Sequence, residues 1–105
     1  MTSKRLTAVA DYLRLLLTTS AEQARSLLLS ITTIQVQALS EIAHNLLRST
    51  LPSKFKKTVA KYKTLLQKLG KKSGSIKIKI KLVKKHLRQV LNVLLSMKDS
   101  LMKLI

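Results

Sequence analysis

The sequence predicts an all-α protein, a small bundle of about five helices whose last one or two are long, basic and amphipathic. Three observations predict it. Apolar residues recur at three- and four-residue steps along most of the chain, the period of a helix with one buried face. Only two glycines and one proline interrupt the 105 residues, which leaves long windows free of helix breakers. Two of the breaks carry helix-start chemistry, Ser or Thr followed three residues later by Gln. At 46 % apolar the chain can form a core, and 105 residues suit one small domain. With Tyr12, Phe55 and Tyr62 as the only aromatics, that core is built of Leu, Ile and Val.

The first helix is expected from Ser3 to about Thr18, with Leu6, Val9, Ala10, Leu13, Leu16 and Leu17 inward. Thr18-Thr19-Ser20 breaks it, and Ser20 with Gln23 forms a capping box for a second helix reaching about Ile31. Ala24, Leu27, Leu28 and Ile31 are its buried face. Thr32 with Gln35 opens a third helix carrying Val36, Leu39, Ile42, Ala43, Leu46 and Leu47, with Thr33 as the other candidate cap. Pro52 lacks an N–H and pushes Leu51 out of helical angles, so Ser49–Ser53 is punctuation and Ser53 can cap the fourth helix. In that helix Phe55, Val59, Tyr62, Leu66 and Leu69 form a narrow stripe, and Gly70 is placed as its C-cap.

The last segment reads two ways. Ile76-Lys77-Ile78-Lys79-Ile80-Lys81-Leu82 alternates as a strand would. The wider window steps 4, 3, 4, 3 through Ile76, Ile80, Val83, Leu87, Val90, Leu94, Met97, Leu101 and Leu104, which is helical. A lone strand would have no partner for its backbone, so the helix is preferred. Ile78 and Leu82 fall outside the stripe. The same stepping resembles a coiled-coil seam, which keeps a homodimer through 76–104 open beside ordinary bundle packing.

Charge is the dominant feature, a formal +17. Residues 1–52 hold five bases against three acids, a net +2; residues 53–105 hold sixteen against Asp99 alone, a net +15. Such a division implies a near-neutral packing or assembly half, 1–52, joined to a Lys-rich anion-binding half, 53–105, within one helical domain. The candidate contacts are Lys54, Lys56, Lys57, Lys61, Lys63, Lys68, Lys71, Lys72, Lys77, Lys79, Lys81, Lys84, Lys85 and Arg88.

Chemistry at a catalytic site is not expected. The four acids, Asp11, Glu22, Glu41 and Asp99, are far apart, and no Cys is present. His44 and His86 read as half-buried or solvated side chains rather than ligands, and no glycine-rich phosphate loop occurs. The chain therefore reads as a non-enzyme without metal or cofactor. No apolar run reaches the roughly 18 residues that span a bilayer. Asp11 and Arg14 interrupt the Leu-rich N-terminal stretch, which argues against a secretory signal. Lysine neutralises phosphates by releasing counterions, whereas base readout leans on Arg, Asn and Gln and single strands demand stacking aromatics. The expectation is sequence-neutral, salt-sensitive binding of double-stranded DNA. Two alternatives stand beside it: an amphipathic helix lying on an anionic membrane surface, and a basic scaffold docking an acidic protein.

The run Ala38-Leu39-Ser40-Glu41-Ile42-Ala43-His44-Asn45-Leu46-Leu47, then Leu51-Pro52-Ser53-Lys54-Phe55-Lys56-Lys57, Tyr62-Lys63 and the Lys-rich stretch from Lys71 to Lys85, resembles a family of short basic proteins. These are encoded by Maverick/Polinton-type DNA elements and the related adintoviruses. The similar part covers about residues 32–85. The resemblance implies a virion core-type role in nucleic-acid condensation, with capsid proteins among the partners and virion and host nucleus as the location. Two departures are visible: the tail from Lys84 to Ile105 lacks the glycines of the family, and Pro52 is followed directly by Ser53-Lys54 where relatives carry an extra residue.

Overall fold

The computed structural model describes residues 9–48, 53–71 and 74–104, the side chains of residues 53, 54, 103 and 104 excepted. Every regular element among them is helical, and none is a strand. In chain order these are α1 (Ala10–Thr18), α2 (Ala21–Leu29), α3 (Thr33–Arg48), α4 (Ser53–Lys61), α5 (Lys63–Gly70), α6 (Ile76–Lys85), α7 (Leu87–Ser96) and α8 (Lys98–Leu104). The expected start at Ser3 and the punctuation around Pro52 lie outside the described residues.

Ser20 and Thr32 cap their helices as the sequence implies. Ser20 sits in extended backbone and its Oγ accepts from the Gln23 N–H at 3.2 Å, while the Gln23 side chain meets the Thr19 hydroxyl. The second box is reciprocal: Thr32 Oγ1 accepts from the Gln35 N–H at 3.3 Å and Gln35 Oε1 accepts from the Thr32 N–H at 3.0 Å. Thr32 rather than Thr33 is thus the cap. Between these boxes α2 ends at Leu29, where the Ser30 hydroxyl donates to the Ser26 and Leu27 carbonyls and closes the last turn. α2 and α3 then meet at 113°.

The expected number, about five, is too low: the described residues alone contain eight helices. The fourth expected helix divides at Tyr62 and the last at His86 and Met97. Each of these residues has φ between −108° and −117° with ψ between 19° and 40°, outside the helical basin. None is Gly or Pro. The departure costs little because bonding continues through it: the Tyr62, His86 and Met97 carbonyls accept from Leu66, Val90 and Leu101 at 2.9, 3.0 and 2.9 Å. What the bends gain is burial. They keep Val83, Val90, Leu94, Met97 and Leu101 in one core, and let Leu65, Leu91 and Val93 enter it as well. The alternating Ile76–Leu82 stretch is helical, as the wider periodicity requires.

α3 is the centre. Val36, Ala38, Leu39, Ser40, Ile42, Ala43 and Leu46 are all buried, a wider face than its stripe alone would give. α5 packs along one side of it and α6 along another. Gly70 explains the closeness of the first contact. A glycine C-cap would end α5 in a left-handed turn, but no described glycine has positive φ, and Lys71 caps the helix. A Cβ at Gly70 would sit 2.7 Å from the His44 nitrogen and 3.0 Å from its Cα, so α5 rests on the backbone of α3 itself. α2 lies against α1, α6 and α7, and α4 against α5 and α7. The near-neutral and basic halves of the sequence therefore share a single core running from Val9 to Leu101. A homodimer through the 76–104 stripe would have to take that stripe out of its own protomer.

Candidate functional site

Helical packing turns the apolar side of α4–α8 inward and leaves the described lysines outside, Lys79 excepted. On α4 and α5, Phe55, Leu65, Leu66 and Leu69 are buried while Lys56, Lys57, Lys61, Lys63 and Lys68 are exposed. Lys71 is exposed in the turn after Gly70. On α6, Lys77, Lys81, Lys84 and Lys85 are exposed, and Arg88 follows in the first turn of α7. α5 adjoins α6 and α4 adjoins α7, so the two basic runs lie on neighbouring elements. The Lys54 side chain and Lys72 fall outside the described residues. Lys98, exposed on α8, adds a cation that the sequence pattern does not single out; nothing but its charge marks it.

These cations are poorly compensated. Among the described residues no carboxylate forms a salt bridge with Lys56, Lys57, Lys61, Lys63, Lys68, Lys71, Lys77, Lys81, Lys84, Lys85 or Arg88. The Lys61 ammonium stands 5.4 Å from the centroid of the adjacent Tyr62 ring, a weak cation–π contact at an exposed site. Arg14, in the other half, does reach Asp11 at 3.3 Å. Like charges this dense repel one another over a Debye length of about 8 Å at physiological salt, and a polyanion relieves that repulsion.

Lys79 does not belong to this surface. It is 4 % exposed, and its Nζ donates to Ser40 Oγ on α3 at 2.7 Å. The expectation that it contacts phosphate is corrected accordingly. The physical reason is the helical period: Lys77 and Lys81 fall on the outer side of α6, whereas Lys79 sits halfway between them in sequence and turns toward α3. Gly74 helps to seal it, since a Cβ there would lie 3.0 Å from Lys79 Cε. The same rotation puts Ile78 on the outside at 65 % exposure, between Lys77 and Lys81, as its place off the stripe implies.

Only one histidine lies at a break between helices. His44 Nε2 lies 3.2 Å from Arg48 Nη1, one turn along α3, and His86 is the half-buried residue at the α6–α7 break. Among the described residues no three His, Cys, Asp or Glu side chains gather where a metal could sit. No single described helix is long and apolar enough to cross a membrane.

The arrangement defines a class: a small all-helical basic protein whose leucine-rich core carries a lysine-covered flank. No protein-family model matches the chain, and neither a curated protein nor a solved structure is significantly similar to it.

Proposed function

We propose that this protein binds double-stranded DNA without sequence preference and condenses it, through lysine–phosphate contacts. The observation that carries the reading is the set of exposed, uncompensated lysines on adjoining helices, from Lys56 to Arg88. The contact set is Lys56, Lys57, Lys61, Lys63, Lys68, Lys71, Lys77, Lys81, Lys84, Lys85 and Arg88, with Lys54 and Lys72 included on charge alone. Each acts as one counter-charge, so no single residue is essential. A place in the core of a virus-like particle, loaded in the host nucleus and in contact with capsid proteins, rests on the family resemblance.

The membrane-surface alternative is less well supported. An interfacial helix needs a free apolar face, and among the described residues of α6–α8 Val83, Val90, Leu94, Met97 and Leu101 are buried in the core, with Ile78 and Leu95 the large apolar residues left exposed.

The test is binding to a random-sequence duplex and to anionic liposomes across a salt series, with helicity recorded throughout. The reading expects tight duplex binding whose logarithm falls with log salt by about 0.9 per neutralised phosphate, and little liposome leakage. Leakage with weak duplex binding would overturn it in favour of the membrane; binding to neither would move the search to an acidic protein.

A further inference from the structure

Ile78, at 65 %, is the most exposed large apolar side chain among the described residues. Single exposed apolar residues are ordinary on protein surfaces, so it is the position of this one that matters. Of the others, Leu15, Leu29 and Ile34 belong to the near-neutral half, and Leu95 shares a groove with Asp99. Ile78 stands inside the lysine flank. Lys81 and Lys85, both exposed, follow it one and two turns along α6, within about 60° of it at roughly 100° per residue. Lys77 precedes it. Lys71 is exposed at the start of the tight turn that the Gly74 N–H closes onto the Lys71 carbonyl at 3.1 Å. A helical side chain leans over the turn before it, and the residues four and three positions before Ile78 are small, Gly74 and Ser75. The fold does not require an isoleucine here. Ile76, Ile80 and Val83 supply the side of α6 that packs on the core, and a β-branched residue at an exposed helical position is a poorer helix former than lysine or alanine.

We propose that Ile78 is a wedge that enters between two base pairs of the bound duplex from the minor groove and kinks it, while Lys71, Lys77, Lys81 and Lys85 hold the adjoining phosphates. The inference rests on the DNA-binding reading. Charge decides the occupant. Cations before and after Ile78 along the chain recruit a polyanion and repel the same flank of a second copy. The apolar surface that a duplex offers is the interior of its base stack. Apolar side chains, Ile among them, part base steps from the minor groove, and the cost of unstacking is offset by the contacts that a bent duplex gains. An anionic membrane demands more apolar area than one isoleucine, and Val83, Val90 and Leu94, which would extend it, are buried. A kink also supplies what neutralisation alone does not. Each bound protein redirects the path of the duplex, so many of them together compact it.

The experiment measures energy transfer between dyes at the two ends of a short random-sequence duplex, together with binding across a salt series. It compares the full chain with Ile78→Ala, Ile78→Lys and Lys81→Ala, and repeats the series on a duplex with one central mismatch, where a step is already loosened. The parent is expected to raise energy transfer and to bind the mismatched duplex roughly tenfold more tightly than the matched one, because part of the unstacking cost is gone. Ile78→Ala keeps the salt slope and loses both the bend and the mismatch preference. Ile78→Lys binds more tightly than Ile78→Ala and still leaves the duplex straight, which separates the apolar side chain from charge. Lys81→Ala lowers the salt slope by about one and still bends the duplex. Position 78 is exposed and both replacements are good helix formers, so the fold is kept, which circular dichroism checks. A bend by Ile78→Ala equal to the parent's, or a parent that binds the duplex and leaves it straight, would overturn the wedge and leave the DNA reading standing. A parent that binds no duplex would overturn the DNA reading, and the wedge with it.

Discussion

α3 is gripped from two sides by opposite means. Against α5 the contact is apolar and as close as backbones allow, with Gly70 lying over Ala43 and His44. Against α6 it is polar at its centre, where a buried ammonium on Lys79 meets the Ser40 hydroxyl. The first contact has no tolerance for added volume and the second none for lost partners. The difference shows that a short basic protein can place a lysine in its interior. A buried lysine nitrogen is costly unless it is hydrogen-bonded, and Ser40 supplies such a bond across the α3–α6 contact.

The largest effect expected is at the first side. Gly70→Val drives a branched side chain into the α3 backbone and should cost about 3 kcal/mol, read as a lowered denaturant midpoint; Gly70→Ala should cost less, since alanine's helix propensity returns about 1 kcal/mol. A neutral Gly70→Val would break the comparison. Next comes the second side. Ser40→Ala removes an acceptor from a buried ammonium and should cost about 2 kcal/mol, while Ser40→Ala combined with Lys79→Met should regain most of it. Additive losses in that double-mutant cycle would show that the two side chains are not coupled.

Smaller effects sharpen the picture away from α3. The Tyr12 hydroxyl donates to the Leu27 carbonyl at 2.9 Å, tying α1 to α2, and burial pushes its pKa from 10.0 up to about 12. The fold thus favours the neutral phenol. That contribution is fully present below pH 10 and is lost as pH rises through about 12. Tyr12→Phe should cost about 1 kcal/mol at neutral pH, and its stability difference from the parent should vanish across that alkaline window. A difference that stays constant to pH 12 would contradict the assignment. The smallest effect belongs to the flank. Lys84→Ala should change stability by less than about 0.5 kcal/mol and reduce the salt slope of duplex binding by about one.

Much of the fold was legible because it depends on neighbours in sequence. The apolar stripes named the buried residues of α1, α2 and most of α3, and the Thr32–Gln35 box located the start of α3. What escaped the sequence is non-local. Nothing around Tyr62, His86 or Met97 announces a break; the bends answer to the shape of the core beneath them. Gly70 has a local meaning as a helix stop and a different, tertiary one against a backbone twenty-six residues earlier. Lys77, Lys79 and Lys81 sit in one alternating pattern; the helical period turns the middle one the other way, and its partner Ser40 lies thirty-nine residues upstream, out of reach of any local reading. The candidate surface was legible as composition, because it needs only charge and a buried opposite face. The burial of Leu65, Leu91 and Val93 was not, since it is decided by what the rest of the chain covers.

The breaks at His86 and Met97 bear on the charges as well as on the core. A straight helix from Ile76 to Leu104 would be about 43 Å long, more than the molecule's largest extent of 33 Å. Folding that length around the core turns its lysine side into the outside of a curve. The bends that let the apolar stripe converge thereby also divide the cations among three successive helices, Lys81 and Lys85 on α6, Arg88 on α7 and Lys98 on α8, rather than setting them along one rod.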